Sequence, residues 1–316
     1  MNQGMNRRSF LGLGMTAGAA AMAPRWLQGE ETHLPEILAQ ARAAALTTPI
    51  QTTRLSENVY LLQGAGGNMV LQTGPDGAIL IDSSFATAAP KVREAVAAVC
   101  KDAPHALINT HWHFDHTDGN DALHAAGFVI VAHQKTRDRL ATPQAMKAFH
   151  ATLPASPAGA LPAVTFDRAM HLWHNGDSID LVHVEPAHTD TDVYIRFHKA
   201  DVLHLGDIWF NGMYPFIDEG TGGSIGGMIR AGEKALAVAG DNTKIVPGHG
   251  SLGSKSEFKK YHEMLVTIRD KVESLKTSGV SEAEAVAKKP TAEFDAAWGL
   301  GMMTGDEFAG VVYRTL

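Results

Sequence analysis

The sequence predicts an α/β fold in which two sheets pack face to face with helices outside. Three observations carry this. Short β-rich runs precede helical runs, and that order occurs twice. The runs are divided by turn signals such as GAGGN and GPDG. No linker or short repeat splits the chain. Two sheets sharing one apolar layer, with helices covering their outer faces, satisfy the pattern.

The elements follow in order. Residues 31–46 are expected to be helical, with Leu34, Ile37, Leu38 and Ala41 on one face. VYLLQG, NMVLQT and AILID are strands. A helix is expected over 89–101, carrying the single cysteine, Cys100, as a small buried apolar residue. A strand over 106–110, a short helix NDALHAAG, a strand FVIVAH and a helix through the 130s and 140s come next. Residues 153–162 are a Pro- and Ala-rich loop. The second β-rich half starts at Val164 with VTFDRAMHLW, DSIDLVHV, VYIRFHKA and DVLHLGD. Helices are expected over 223–239, 254–276 and 281–297, with the strand KIVPGHG between the first two.

Composition narrows the class. The 316 residues are 45% hydrophobic and 19% charged, enough apolar content for a sizeable core. A net charge of -7 argues against nucleic acid as the main partner. One cysteine excludes an internal disulfide framework. Sixteen histidines raise the prospect of a metal site.

The densest group of polar residues is HWHFDH, residues 111–116, directly after the apolar run ALINT. His111 and His113 are two apart and can point the same way from an extended segment. Asp115 and His116 follow where the chain turns. Imidazole and carboxylate at this density suit zinc, with iron or manganese chemically allowed. Three more strand ends carry ligand-type residues beside glycine or after proline: His188 in PAHTDTD, Asp207 in LHLGD and His249 in VPGHG.

In these four motifs, over roughly residues 55–252, the chain resembles the metallo-β-lactamase-fold hydrolase superfamily. The resemblance implies an αββα sandwich of mixed sheets with metals at one edge. It implies one zinc on His111, His113 and His188 and a second on Asp115, His116 and His249, bridged by Asp207. Asp82, ending AILID, matches the aspartate that supports the ligand loop from behind. A water shared by the two ions, its pKa lowered towards about 7, would attack a carbonyl without a Ser or Cys nucleophile. Asp115 and Asp207 carry catalytic roles in that scheme.

Two departures bear on substrate. Asp207 stands where several true β-lactamase subclasses have cysteine. Phe210 stands where one of them has a lactam-binding lysine. A small ester, thioester, lactone or β-lactam is therefore expected as substrate. The alternatives are a dedicated metallo-β-lactamase, or a non-hydrolytic metal-binding or redox protein on the same fold. His113, where diiron oxygen-reducing relatives have glutamate, favours hydrolysis.

The loop 210–224, FNGMYPFIDEGTGGS, is expected to overhang the metals. Asn211 and Tyr214 can donate to an oxyanion there; Tyr214 fits packing equally well. Phe216 is expected to pack the loop down, and Trp112 to pack or form the rim. His183 and His204 are expected to be strand residues. Asp190 and Asp192 are expected to fix the turn after His188.

The N-terminus carries an address. Arg7-Arg8 precede Ser9-Phe10-Leu11, a Gly- and Ala-rich apolar stretch and the triplet Ala21-Met22-Ala23. That order is a twin-arginine (Tat) export signal over residues 1–23, cleaved near Ala23, with a stretch too short to span a membrane stably. The protein is expected to use the twin-arginine machinery and reside in the periplasm. Losing the two arginines takes the net charge from -7 to -9. An N-terminal helical segment, 24–54, and the hydrolase domain, 55–316, make up the rest.

Overall fold

The computed structural model describes residues 34–100, 105–149 and 151–316. The export signal expected over 1–23 lies outside the described residues. The first half runs α1 (Leu34–Thr47), β1 (Gln51–Arg54), β2 (Val59–Gln63), β3 (Met69–Gly74), β4 (Gly77–Ile81), α2 (Ala89–Val99) and β5 (His105–Ile108). Then come α3 (Phe114–Thr117), α4 (Asn120–Ala125), β6 (Phe128–His133), α5 (Gln134–Leu140), β7 (Gln144–Met146), β8 (Ala151–Leu153) and β9 (Val164–Phe166). The second half runs β10 (Ala169–His174), β11 (Asp177–His183), β12 (Val193–Phe197), β13 (Val202–His204), α6 (Ile225–Val238) and β14 (Lys244–Val246). It closes with α7 (Lys255–Thr277), α8 (Glu282–Ala287), α9 (Asp295–Trp298) and α10 (Gly305–Thr315).

Among the described residues, one sheet has the order β1-β2-β3-β4-β5-β6-β9 and a second the order β10-β11-β12-β13-β14. The first begins as an antiparallel meander and turns parallel from β4 onward. The second is antiparallel except for its last pair, β13 with β14. β7 and β8 form a separate hairpin.

Neighbouring residues in one strand serve different layers. Leu61, Val70 and Ile79 meet Ile179, Leu181, Ile195 and Phe197 between the sheets. Leu62, Leu71 and Leu80, one residue further on, join Ile37 of α1 and Val92 and Val96 of α2 in the helix-covered layer. Period-two alternation makes strands buried on both faces apolar throughout, which is why β2 to β4 read as continuous apolar runs. Each such Leu or Ile contributes about 1.5–3 kcal/mol relative to exposure. Met228 of α6 and Leu265 and Ile268 of α7 cover the other side against Leu203 and Ile245.

Five expectations change. VTFDRAMHLW, expected to open the second half, divides into β9, which joins the first sheet beside β6, and β10, which begins the second. The helix through the 130s and 140s stops at Leu140, because Pro143 disfavours helical backbone at Thr142 and the chain turns into β7. The helix expected over 281–297 divides into α8 and α9, with Pro290 between them. α10 has no counterpart among the expected helices. The boundary at 54/55 cuts a sheet: β1 pairs with β2, and Ile37, Ala41 and Ala45 of α1 belong to the core.

Candidate metal centre

β5 delivers the chain to the ligand loop, and Asp82, just past the neighbouring β4, holds that loop. The Asp82 amide donates to the Ile108 carbonyl at 2.8 Å. Its carboxylate accepts from the Thr110 amide, the Thr110 hydroxyl and His116 Nδ1, each at 2.8 Å. Asp82 is fully buried and adopts φ 63°, a left-handed conformation aspartate tolerates better than most residues.

These bonds settle tautomers. The Thr110 hydroxyl gives its proton to Asp82, so its oxygen accepts from His111 Nδ1 at 3.0 Å. His116 Nδ1 donates to Asp82. His188 Nδ1 donates to the Phe216 carbonyl at 2.6 Å. His113 Nε2 donates to Asp218 at 3.1 Å. In each ring the other nitrogen faces inward and is the one a metal would bind, the arrangement that orients histidine as a metal ligand.

The inward atoms converge in two groups: His111, His113, His188 and Asp207, and Asp115, His116 and His249. Within each group the donor atoms lie within 4.8 Å of one another, and all seven residues are buried. Asp207 stands between them. Its Oδ2 lies 3.3 Å from His188 Nε2 and 3.5 Å from His249 Nε2, and its Oδ1 lies 3.1 Å from His116 Nε2. Asp115 Oδ2 is 3.1 Å from His249 Nε2 and 3.5 Å from His116 Nε2.

The donor set fits divalent metal. His111 Nε2, His116 Nε2, His249 Nε2 and Asp207 Oδ1 are buried without a hydrogen-bond partner. Buried polar atoms left unmatched are costly, so several aimed at one space mark a place for a cation. His188 Nε2 and His113 Nδ1 face each other at 2.8 Å, two lone pairs that only a proton or a cation can reconcile. Close backbone approach completes the cradle. A Cβ on Gly248 would sit 1.9 Å from Asp207 Oδ1, and one on Gly67 2.1 Å from the His116 ring.

The charges agree. Burial disfavours the Asp207 carboxylate, but His249, His116, His111 and His188 outweigh it and hold it well below the ordinary range. Burial likewise disfavours charged His249, yet Asp207 and Asp115 push it up to about 9. His188 drops to about 4, chiefly through burial.

The remaining residues separate clearly. The Asn211 side-chain amide donates to the Ser251 carbonyl at 2.8 Å, and its backbone amide donates to the His249 carbonyl. Asn211 therefore holds the His249 turn with its backbone amide and one side-chain N–H. Tyr214 takes the packing alternative: its hydroxyl donates to Asp295 at 2.9 Å with the Thr291 carbonyl 3.2 Å away, and its ring stacks on Phe308. Phe216 packs the loop down, and does so on the cluster itself, 5.9 Å from His113 and 5.8 Å from His188 between ring centres. Trp112 is buried and helps line a small cavity with Leu38 and Phe114. His204 is buried beneath Asp82, and His183 stacks on His133 at 3.7 Å. Asp192 fixes the turn, accepting from the His188 and Thr189 amides, and burial pushes it up to about 7. Asp190 instead pairs with Arg139 of α5. Asp218 escapes sequence reasoning: it sits in an irregular loop with no motif around it.

Residues 53–249 match the profile of the metallo-beta-lactamase superfamily. The chain belongs to that superfamily. It is 28% identical over 155 residues to the hydroxyacylglutathione hydrolase of Polaromonas sp. (strain JS666 / ATCC BAA-500), which is 48% of this chain and 51% of that protein. The chain thus spans about half the length of that curated relative. Among solved structures, it superposes on a metallo-beta-lactamase from Pontibacter korlensis with a TM-score of 0.58 at 17% identity, covering 69% of this chain and 99% of that one. The sec-alkylsulfatase Pisa1 from Pseudomonas sp. gives a TM-score of 0.65 at 16% identity, over 84% of this chain and 50% of that one. At such identities the structural likeness establishes the fold, and this metallo-beta-lactamase-superfamily chain shares it.

Proposed function

We propose that this superfamily member is a dinuclear zinc hydrolase that cleaves the acyl bond of a small thioester, ester, lactone or β-lactam. The observation that carries it is Asp207, whose two carboxylate oxygens face both ligand groups at once. When bound there, divalent ions supply Lewis acidity and an acidified water. His111, His113, His188 and Asp207 would hold one ion, and Asp115, His116 and His249 the other.

The chain's own residues do the rest. Asp82, Thr110, Phe216 and Asp218 fix four imidazoles in the tautomers the centre needs. Phe210, stacked on His249 at 5.2 Å, and Phe216 close an apolar wall that limits water. The Asp115 carboxylate stays ionised: burial opposes this, but His116 and His249 prevail and hold it below its ordinary range. Aspartate at 207 and phenylalanine at 210 favour a thioester or ester over a dedicated β-lactam activity, as does the hydrolase activity in the name of the Polaromonas relative.

The test is a panel of a thioester, an ester, a lactone and a chromogenic cephalosporin, assayed on zinc-loaded protein. Turnover of the thioester or ester, abolished by chelation, is expected. No turnover of any member by fully loaded protein sinks the proposal. The proposed periplasmic location rests on the Arg7-Arg8 signal. Among the described residues no helix is long and apolar enough to cross a membrane. Replacing both arginines with lysine should retain the protein in the cytoplasmic fraction; unchanged export would remove that part.

A further inference from the structure

The loop 210–224 carries two of the groups that orient the first ligand set. The Phe216 carbonyl accepts from His188 Nδ1, and Asp218 accepts from His113 Nε2. The Asp218 amide also donates to the His188 carbonyl at 2.8 Å. Asp218 is itself fixed, by the Thr221 hydroxyl at 2.7 Å and the Gly220 amide at 3.0 Å.

The C-terminal segment grips this loop on both sides of those groups. Two residues before Phe216, the Tyr214 hydroxyl donates to Asp295 at 2.9 Å and its amide donates to the Trp298 carbonyl at 2.9 Å. One residue after Asp218, Glu219 accepts from Arg314 of α10, with Nη2 at 2.7 Å and Nε at 3.0 Å. Arg314 also pairs with Glu282 of α8. Where the loop ends, the Ile225 amide donates to the Thr315 hydroxyl at 3.2 Å. These C-terminal partners all lie beyond residue 249, where the family match stops.

We infer that residues 291–315 are an intramolecular brace for the metal centre, with Tyr214 and Arg314 as positioning residues that set metal affinity at the His111–His113–His188 position through Phe216 and Asp218. The inference rests on the cluster being a metal centre and is independent of the bond it cuts. A histidine ligand is only as well aimed as the group on its other nitrogen, and here that group sits on a loop with little secondary structure. The brace replaces the rigidity that a strand would supply.

The experiment uses the full chain stripped of metal and refilled with Co2+, with the visible cobalt spectrum and competition against a chelator as readouts. Asp218→Asn marks which binding phase belongs to the first group, and His249→Ala marks the second. Tyr214→Phe and Arg314→Ala should each weaken the first phase about 3- to 10-fold, less than the 10–100-fold typical of losing a direct outer partner. They should alter its spectrum, weaken the second phase less and speed hydrogen exchange over 214–224. Arg314→Lys should recover part of the loss. Unchanged first-phase affinity and spectrum in both variants would overturn the inference, whether or not exchange quickens. Equal weakening of both phases would also overturn it, since that is general destabilisation. A wild-type chain that binds no cobalt would overturn the metal-centre reading and this inference together; normal binding without turnover of any substrate would overturn only the hydrolase proposal.

Discussion

The ligands are supported by two different kinds of structure. His116 is aimed by Asp82, which sits at the end of β4 with its carboxylate bonds all made to the ligand loop next door. His113 and His188 are aimed by Asp218 and Phe216, from a loop that needs the C-terminal helices to hold it. His116 of the second group, and through Thr110 also His111 of the first, are thus built onto the sheet. His113 and His188 are held from a segment about a hundred residues away from His113 in sequence. Ligands that meet at one centre need not be equally rigid: the sheet-anchored ligands should tolerate change outside the core, and the loop-anchored ligands should not.

The largest expected effect removes the comparison altogether. Asp207→Asn takes charge from the one residue facing both groups, and affinity for both ions should fall by more than the 10–100-fold of an outer partner. Metal content after dialysis against a weak chelator measures this; loss confined to one ion would show that Asp207 does not bridge. Asp82→Asn is next. An amide nitrogen cannot accept from both the Thr110 hydroxyl and His116, so affinity of the His116 group should drop about 10–100-fold, with a smaller loss at the first group through Thr110 and His111. Urea unfolding of the metal-free protein should show a cost of about 1–3 kcal/mol for the buried donors left unmatched. Asp218→Asn should weaken only the first group, by roughly 10-fold, with little change in unfolding midpoint. Equal stability losses for Asp82→Asn and Asp218→Asn would erase the distinction between the two supports.

The smallest effect lies outside both groups. His133 ends β6 in one sheet and His183 ends β11 in the other, and their rings stack 3.7 Å apart. Burial holds both imidazoles below their ordinary 6.5, with His133 adding to the effect on His183. Below pH 6.5 the unfolded chain therefore binds more protons than the folded one, and stability present above that pH is lost as pH falls through the window down to the folded values. His183→Phe keeps a flat ring against His133 and removes one titrating group, so metal-free protein should lose stability less steeply below pH 6.5. An identical slope would mean the stack does not titrate separately.

Much of this is legible in sequence. Strands β2 to β4 are visible because both faces are largely buried, which leaves apolar runs bounded by turns, whereas β1, exposed along its whole length, leaves none. The seven candidate ligands are visible because each sits in a short motif following a strand, with Asp115 and His116 on the helical turn α3. Asp218 is not, since a lone aspartate in a Gly-rich loop looks like a turn residue. Tyr214 misleads because a loop expected over the metals makes its hydroxyl look like an oxyanion donor, while its partners, Thr291 and Asp295, lie about eighty residues on. α10 does leave a signal: Thr304 and Glu307 form a capping box, a Thr-x-x-Glu pattern ahead of an apolar run.

The most direct measurement titrates metal-free protein with Zn2+ while following thioester hydrolysis and bound metal together. A dinuclear hydrolase predicts activity that reaches its plateau only when two ions are bound per chain. A plateau at one ion, or two bound ions with no hydrolysis, would contradict it.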